Sequence, residues 1–290
     1  MEPVSVGLVG AGPWADMVHA PELAKGPHTR LAGIWARRPE ASAELAAKYG
    51  VPSFERIEEL LEVCEAVAFS VPPAVQAELG VVAAKAGKAL LLEKPLAADL
   101  AGARRLAEAV AAAGVASQMV YTFRYSPVTV EFLARARKLR PFGGHAVNIS
   151  GALNGGPFVT PWRLERGAIL DVGPHTIDLL DAALGPVASV RAHGHPLGWV
   201  GLLLEHETGA VSEASMCLTA TGDLPPARID VYGEAGNTSL SGADLGDGIF
   251  ARMVESFAET VRAGGGHPLD AQHGLRLQKI IDDAERQLGS

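Results

Sequence analysis

Val4-Ser-Val-Gly-Leu-Val-Gly10-Ala-Gly12-Pro-Trp-Ala15, near the start of the chain, decides how the first part of the molecule is built. Val4 to Val9 is a short apolar run and reads as a strand, while Ala15 to Lys25 reads as a helix. The glycines fall where the strand must turn directly into the helix. Gly10 permits the tight turn, Gly12 carries no Cβ to obstruct a ligand, and Ala15 is small enough for close helix–strand packing. The N–H groups at the helix start then face outward, where a phosphate would be held. The stretch reads as a dinucleotide site in its required strand–turn–helix context, with a plain glycine turn as the alternative.

Working outward, strand and helix signals alternate. Arg30 to Ala36 reads as a strand and Pro39 to Tyr49 as a helix. A short helix over Ile57 to Cys64 precedes a strand over Ala66 to Ser70, which Pro72-Pro73 halts. Val75 to Ala86 is a helix closed by Gly87, and Ala89 to Leu92 a buried strand. Asp99 caps a helix running to about Ala113, with Gly114 after it, and Val115 to Val120 is a further strand. This alternation predicts a doubly wound parallel sheet.

The pattern changes near Thr122. Pro127 to Leu139 looks like a crossover helix, and longer strands follow: His145 to Leu153, Val187 to His195, Val200 to His206, Ala210 to Leu218, Arg228 to Tyr232 and Thr238 to Leu240. Glu207-Thr-Gly209 and Glu234-Ala-Gly236-Asn237 are hairpin signals between them. Helices over about Ile249 to Ala263 and Gln272 to Gln287 end the chain. The expected fold is therefore α/β: an N-terminal Rossmann domain (residues 1–122) with a doubly wound parallel sheet, and a C-terminal α+β domain (residues 123–290) with an open, mostly antiparallel sheet.

Composition narrows the function. The 290 residues carry a net charge of −8, with 48% apolar and 20% charged residues, and no basic cluster beyond Arg37-Arg38 and the run Arg135 to Arg140. A nucleic-acid or anionic-membrane partner is not expected. Cys64 and Cys217 stand far apart and fit small buried residues in a reducing compartment. No apolar run approaches ~18 residues, and the first residues lack a basic n-region, so a soluble cytoplasmic protein is expected. His193, His195 and His206 alternate on strands with no acidic or Cys partner at ligand spacing, so no metal site is read.

The end of the second strand bears on cofactor choice. A site for NAD usually places Asp or Glu there. Here Ala36 stands in that position and Arg37-Arg38 follow, two guanidinium groups suited to a 2′-phosphate. The expected cofactor is NADP, with NAD as the alternative if both arginines are merely loop charges.

Two further segments carry chemistry. Lys94 follows an apolar strand, so its amine emerges at the edge where doubly wound sheets place ligands, and Pro95 fixes the chain direction there. An ammonium in that place can stabilise an alkoxide-like oxygen; a surface lysine in a turn is the bland alternative. Gly167-Ala-Ile-Leu-Asp171-Val-Gly-Pro-His175-Thr-Ile-Asp178 places acid, histidine and acid at i, i+4 and i+7, one face of a helix. Because Pro174 belongs in a first turn, Asp171 is expected at or near the helix start unless the helix kinks there. His175 would then lie near the positive end, where a neutral imidazole, the form a general base needs, is favoured. A helix with one buried, satisfied histidine fits the same pattern.

Gly10-Ala-Gly12-Pro-Trp-Ala15, Ser70-Val-Pro-Pro73, Glu93-Lys94-Pro95, Tyr121-Thr-Phe-Arg124-Tyr-Ser-Pro127 and Asp171-Val-Gly173-Pro-His175-Thr-Ile-Asp178, in that order, resemble the Gfo/Idh/MocA superfamily of oxidoreductases over nearly the whole chain. The resemblance implies an active site in the crevice between the two domains, with Lys94, Asp171 and His175 as catalytic trio. It extends the candidate cofactor-binding set to Pro13, Trp14, Ser70, Pro72, Gln76, Glu93 and Lys94, beside Gly10, Gly12, Ala15, Ala36, Arg37 and Arg38. Gln76 is a departure, since many members carry histidine there. Tyr121, Trp162 and Arg163 join the trio as candidate substrate-binding residues. Arg124 is read as a domain-bridging ion pair and Asp178 as a structural acid. In the expected chemistry His175 takes a hydroxyl proton, Lys94 polarises the same oxygen and Asp171 orients; whether Lys94 or His175 is the immediate acceptor stays open.

The expected activity is hydride transfer between a nicotinamide cofactor and a hydroxyl or ketone of a sugar, polyol or similar small molecule. Nicotinamide use with no net redox change, as in elimination or glycoside cleavage, and non-catalytic nucleotide binding are the alternatives. Strand residues such as Val211, Glu213 and Ser215 alternating with Ala214, Met216 and Leu218 leave both sheet faces partly apolar, which predicts a homodimer or homotetramer through the C-terminal sheet.

Overall fold

The computed structural model describes residues 2–288, and the chain forms two compact units: Met1–Val120 with Phe250–Arg276, and Tyr121–Ile249 with Leu277–Ser290. The first unit thus takes in a segment from late in the sequence.

In the first unit β1 (Val4–Val9) leads through a π-helical turn (Ala15–His19) into α1 (Ala20–Ala24). Then come β2 (Thr29–Trp35), α2 (Pro39–Tyr49), β3 (Ser53–Phe54), α3 (Ile57–Glu62) and β4 (Ala66–Phe69). They are followed by α4 (Pro73–Lys85), β5 (Ala89–Leu92), α5 (Leu100–Ala113) and β6 (Ser117–Met119). The sheet order is β3-β2-β1-β4-β5-β6 with every pairing parallel. β1, β4 and β5 are buried along their whole length, as strands covered on both faces must be. In this order the connections leave β1 toward β2 and return on its other side at β4, which makes the ends of β1 and β4 the switch point of the sheet.

The first helix departs from the single helix over Ala15 to Lys25 that the sequence predicts. Pro21 has no N–H and its ring clashes with a carbonyl one turn back, so regular α-helix cannot pass through it. The turn before it widens instead, with the Ala20 N–H bonding Ala15 O. At the far edge, the Met119 N–H of β6 donates to Leu269 O at 2.7 Å and the Gln118 amide to Met253 O at 3.0 Å. The late segment thereby covers what would be an open strand edge.

The second unit opens with a 3₁₀ turn (Thr122–Tyr125), then α6 (Pro127–Lys138), β7 (Pro141–Ile149), α7 (Pro161–Asp171) and α8 (Gly173–Leu184). β8 (Val187–Gly194), β9 (Val200–His206), β10 (Val211–Cys217), β11 (Arg228–Gly233) and β12 (Gly236–Ser241) follow, and α9 (Ile249–Arg262) and α10 (Ala271–Glu285) end the chain. The sheet order is β12-β11-β7-β10-β9-β8. Only β7 and β10 run parallel, so the sheet is mixed and mostly antiparallel. α6, α7 and α8 pack on it, and β9 and β10 alternate buried and exposed residues accordingly. Among the described residues no helix is long and apolar enough to cross a membrane.

Candidate active site

Parallel strands end at a common edge, so the turns after β1, β2, β4 and β5 gather there. They carry Gly10 to Ala15, Ala36 to Arg38, Ser70 to Pro72 and Glu93 to Pro95. Gly10 has φ +125°, and a Cβ there would lie 2.2 Å from Ser70 O, so only glycine fits. Gly12 differs, because a Cβ there would meet nothing within 4 Å. The N–H groups of Ala11 and Gly12 donate to no protein group among the described residues. An open space above Gly12, faced by unspent N–H donors at a helix start, fits the pyrophosphate of a dinucleotide. Arg37 and Arg38 are exposed, and neither guanidinium pairs with a carboxylate or donates a hydrogen bond among the described residues.

Lys94 is half-buried, and the Lys94–Pro95 peptide is cis. Its turn is built by Gln76, a fully buried residue in the first turn of α4. The Gln76 amide nitrogen donates to Glu93 O (2.7 Å), Leu96 O (3.1 Å) and Pro95 O (3.3 Å), and its oxygen accepts the Glu93 N–H (2.8 Å). Gln76 thus uses both ends of its amide on backbone and exposes almost no surface, a positional duty that its sequence context did not reveal. Glu93 is buried too: Oε1 accepts from Trp14 Nε1 (2.6 Å) and His19 Nε2 (2.8 Å), and Oε2 accepts the Lys94 N–H (3.1 Å). Pro13 and Pro72 are exposed, while Trp14 and Ser70 are half-buried.

In the second unit α7 and α8 hold the other candidates. Asp171 is the last residue of α7, and His175 lies in the first turn of α8, with Pro174 at the start of that helix. Thus Asp171 precedes α8 by two residues, as its proline predicts. The helix in front of it was not expected, because Gly167 (φ 60°, ψ −146°) interrupts the helical pattern. That break has a consequence for Arg163. Eight residues of straight helix rise ~12 Å, yet Arg163 Nε lies 3.1 Å from Asp171 Oδ2. The guanidinium also lies over the Trp162 ring, 4.4 Å from its centroid. Trp162 and Arg163 are therefore helical residues, and Arg163 is the counter-ion of Asp171.

His175 is buried between aromatic rings. Phe123 stacks on it, with centroids 5.2 Å apart and planes 26° from parallel, and Tyr121 meets it edge-on at 6.2 Å. Nothing in the sequence distinguishes Phe123 from the other apolar residues around it, although it lies within the Tyr121-Thr-Phe-Arg124 stretch. Arg124 Nη1 lies 2.9 Å from Asp178 Oδ1, and both belong to the second unit. The pair therefore ties the 3₁₀ turn to α8 within one unit rather than bridging two, which corrects the domain-bridging reading of Arg124. Among the described residues no three His, Cys, Asp or Glu side chains converge as a metal-ligand set.

A parallel sheet ordered 3-2-1-4-5-6, with a glycine turn of this form at its switch point, defines a dinucleotide-binding Rossmann protein, here joined in one chain to a mixed-sheet unit that buries Asp171 and His175. The oxidoreductase family model with an NAD-binding Rossmann fold matches residues 4–121, and the GFO/IDH/MocA C-terminal domain model matches residues 144–239. The chain belongs to the Gfo/Idh/MocA family of oxidoreductases.

Among its relatives is dTDP-3,4-didehydro-2,6-dideoxy-alpha-D-glucose 3-reductase of Streptomyces violaceoruber, 29% identical over 216 residues, 70% of this chain and 58% of that protein. D-apiose dehydrogenase of Paraburkholderia graminis is 31% identical over 178 residues, 55% of this chain and 46% of that protein. The matches thus span about half the length of these curated relatives. The fold is shared with the WlbA dehydrogenase from Bordetella pertussis, solved in complex with NADH and UDP-GlcNAcA: TM-score 0.87, 21% identity, covering 98% of this chain and 96% of that one.

Proposed function

We propose that this protein is a nicotinamide-dependent dehydrogenase or reductase acting on a hydroxyl or ketone of a sugar or polyol, with Lys94, Asp171 and His175 as its catalytic trio. The observation that carries the reading is the setting of His175, buried in the first turn of α8 against Phe123 and Tyr121, with the Asp171–Arg163 pair just before that turn. A ring stacked on one aromatic face and met edge-on by a second ring has little freedom to turn, and fixed geometry is what a proton acceptor needs. In the oxidative direction His175 takes the hydroxyl proton, and the Lys94 ammonium donates to the same oxygen as negative charge develops on it. Asp171, held by Arg163, orients the group beside it. Trp162, Arg163 and Tyr121 contribute to substrate binding. The nicotinamide ring, when bound, supplies the two-electron step at the carbinol carbon. The relatives named for a deoxysugar reductase and for D-apiose dehydrogenase support a sugar-like substrate class.

The cofactor we propose is NADP(H). Ala36 leaves no carboxylate to bind a ribose 2′-hydroxyl or repel a 2′-phosphate, and Arg37 and Arg38 offer two uncommitted guanidinium groups. We also propose a homodimer or homotetramer through the sheet face that α6 to α8 leave open. Leu203, Val211 and Tyr232 are exposed there among Glu205, Glu213 and Asp230, and light scattering at micromolar concentration should return more than one chain's mass.

The activity is tested by following absorbance at 340 nm with NADP+ and a panel of aldoses, polyols and inositols. Turnover of at least one panel member is expected, together with its loss in Lys94→Ala and His175→Ala that still bind cofactor. Turnover that survives both substitutions would refute the assignment of the trio.

A further inference from the structure

The Glu93 carboxylate is the meeting point of two turns that the chemistry treats as separate. Trp14 lies within the glycine turn, and His19 ends the π-helical turn that continues it. Both donate to one oxygen of Glu93, at 2.6 and 2.8 Å. The other oxygen accepts the backbone N–H of Lys94 at 3.1 Å, which fixes the peptide plane leading into that residue. The supports are stiff. Gln76 holds the Glu93 backbone from both sides, and the Trp14 ring packs edge-on against Phe250, centroids 5.6 Å apart. His19 is wholly buried, and its Nδ1 has no partner among the described residues, so Glu93 is the single polar group that places it. A carboxylate oxygen only accepts, so Nε2 carries the proton of that contact.

We propose that Glu93 is a positioning residue that locks the dinucleotide-binding turn to the Lys94 turn, so that filling the first sets the place of the second. The proposal rests on the reading of Gly10 to Ala15 as the cofactor site and of Lys94 as the group that polarises the substrate oxygen. Pyrophosphate on the N–H groups of Ala11 and Gly12 pulls on the start of the helix that bears Trp14 and His19. The carboxylate transmits that pull to the Lys94 peptide. Three N–H donors converge on Glu93, and two oxygens can accept them all. The amide of a glutamine has one accepting oxygen, so Glu93→Gln loses at least one of the three contacts without changing shape. Trp14→Phe removes only the indole donor and keeps a ring against Phe250.

The test reads Lys94 directly. The chain's seven lysines are reductively methylated with ¹³C-formaldehyde, and the Lys94 signal is assigned by its absence in Lys94→Arg. ADP and its 2′-phosphate serve as probes, because they end at the pyrophosphate and carry neither the second ribose nor the nicotinamide that would touch Lys94. Calorimetry measures their binding separately. The expected result is a saturable shift of the Lys94 signal in the wild type. In Glu93→Gln and Trp14→Phe that shift, read at saturating fragment, falls by more than half, whatever fragment affinity calorimetry returns. A full-sized shift in both variants overturns the proposal, as does an unmoved Lys94 signal in a wild type that binds the fragments. Fragments that do not bind the wild type at all overturn the cofactor reading itself, and the coupling with it. Should Glu93→Gln fail to fold, Trp14→Phe decides the matter alone.

Discussion

Gly10 and Gly12 have different duties, one a tight turn and the other an open space for a ligand, and alanine at each separates the two. At Gly10 the backbone sits at φ +125°, where an L-residue is strained, at about 1–3 kcal/mol. The new Cβ would also stand 2.2 Å from Ser70 O. Ser70 cannot easily yield, because its N–H bonds Val9 O at 2.8 Å and the Gly10 N–H bonds Trp35 O at 2.8 Å. Overpacking of that kind adds about 1–3 kcal/mol, so Gly10→Ala should lose about 2–6 kcal/mol, a large share of a typical domain's stability. At roughly 3 °C per kcal/mol the melting temperature falls by about 6–18 °C. At Gly12 the Cβ meets nothing, so Gly12→Ala should melt within about 2 °C of wild type, yet bind NADPH about tenfold or more weakly because the methyl fills the pyrophosphate's space. Thermal melts by circular dichroism without ligand, followed by fluorescence titration with NADPH, measure both. A Gly12→Ala protein that binds NADPH as the wild type does would refute the reasoning, because the space above Gly12 would not be the ligand's.

Arg124→Ala should destabilise the chain by about 3–5 kcal/mol in urea unfolding, since Asp178 is 1% exposed and loses its guanidinium. The double variant with Asp178→Ala should cost less than the sum of the two single ones. Glu65 accepts the N–H and the hydroxyl of Ser5 at 2.8 Å each, and these bonds, the backbone one foremost, hold its carboxyl below the usual range. A depressed carboxyl stabilises the fold above its unfolded pKa, and the stabilisation disappears as pH falls through the folded pKa. The stability difference between wild type and Glu65→Gln should therefore be constant above about pH 5 and shrink steadily below it. A difference that grows on acidification would contradict the assignment.

What the residues disclosed was local. β1, β5, β9 and α2 begin and end where apolar runs, glycines and prolines place them. Asp99 caps α5 with 2.6 Å to the Gly102 N–H, as an acid before a helical run should. The parallel direction of the first sheet followed from strand–helix alternation, because a helix between two strands carries the chain back to run the same way. Contacts that join distant segments carry no such signal. Trp14 and Glu93 are 79 positions apart, His19 and Glu93 74, and nothing periodic connects them. α7 carries no clear signal in the sequence because Gly167 breaks its pattern, and neither does the Arg163–Asp171 pair that the break makes possible. Phe123 reads as one more apolar residue in a motif until its ring is seen against His175.

The most direct test of the account is a side-by-side titration of the purified protein with NADPH and NADH, following nicotinamide fluorescence, in the wild type and in Arg37→Ala/Arg38→Ala. The account predicts that the wild type binds NADPH at least about tenfold more tightly than NADH, and that the double variant loses this preference while keeping its NADH affinity. Equal or better binding of NADH by the wild type, or a preference for NADPH that survives removal of both arginines, would contradict it.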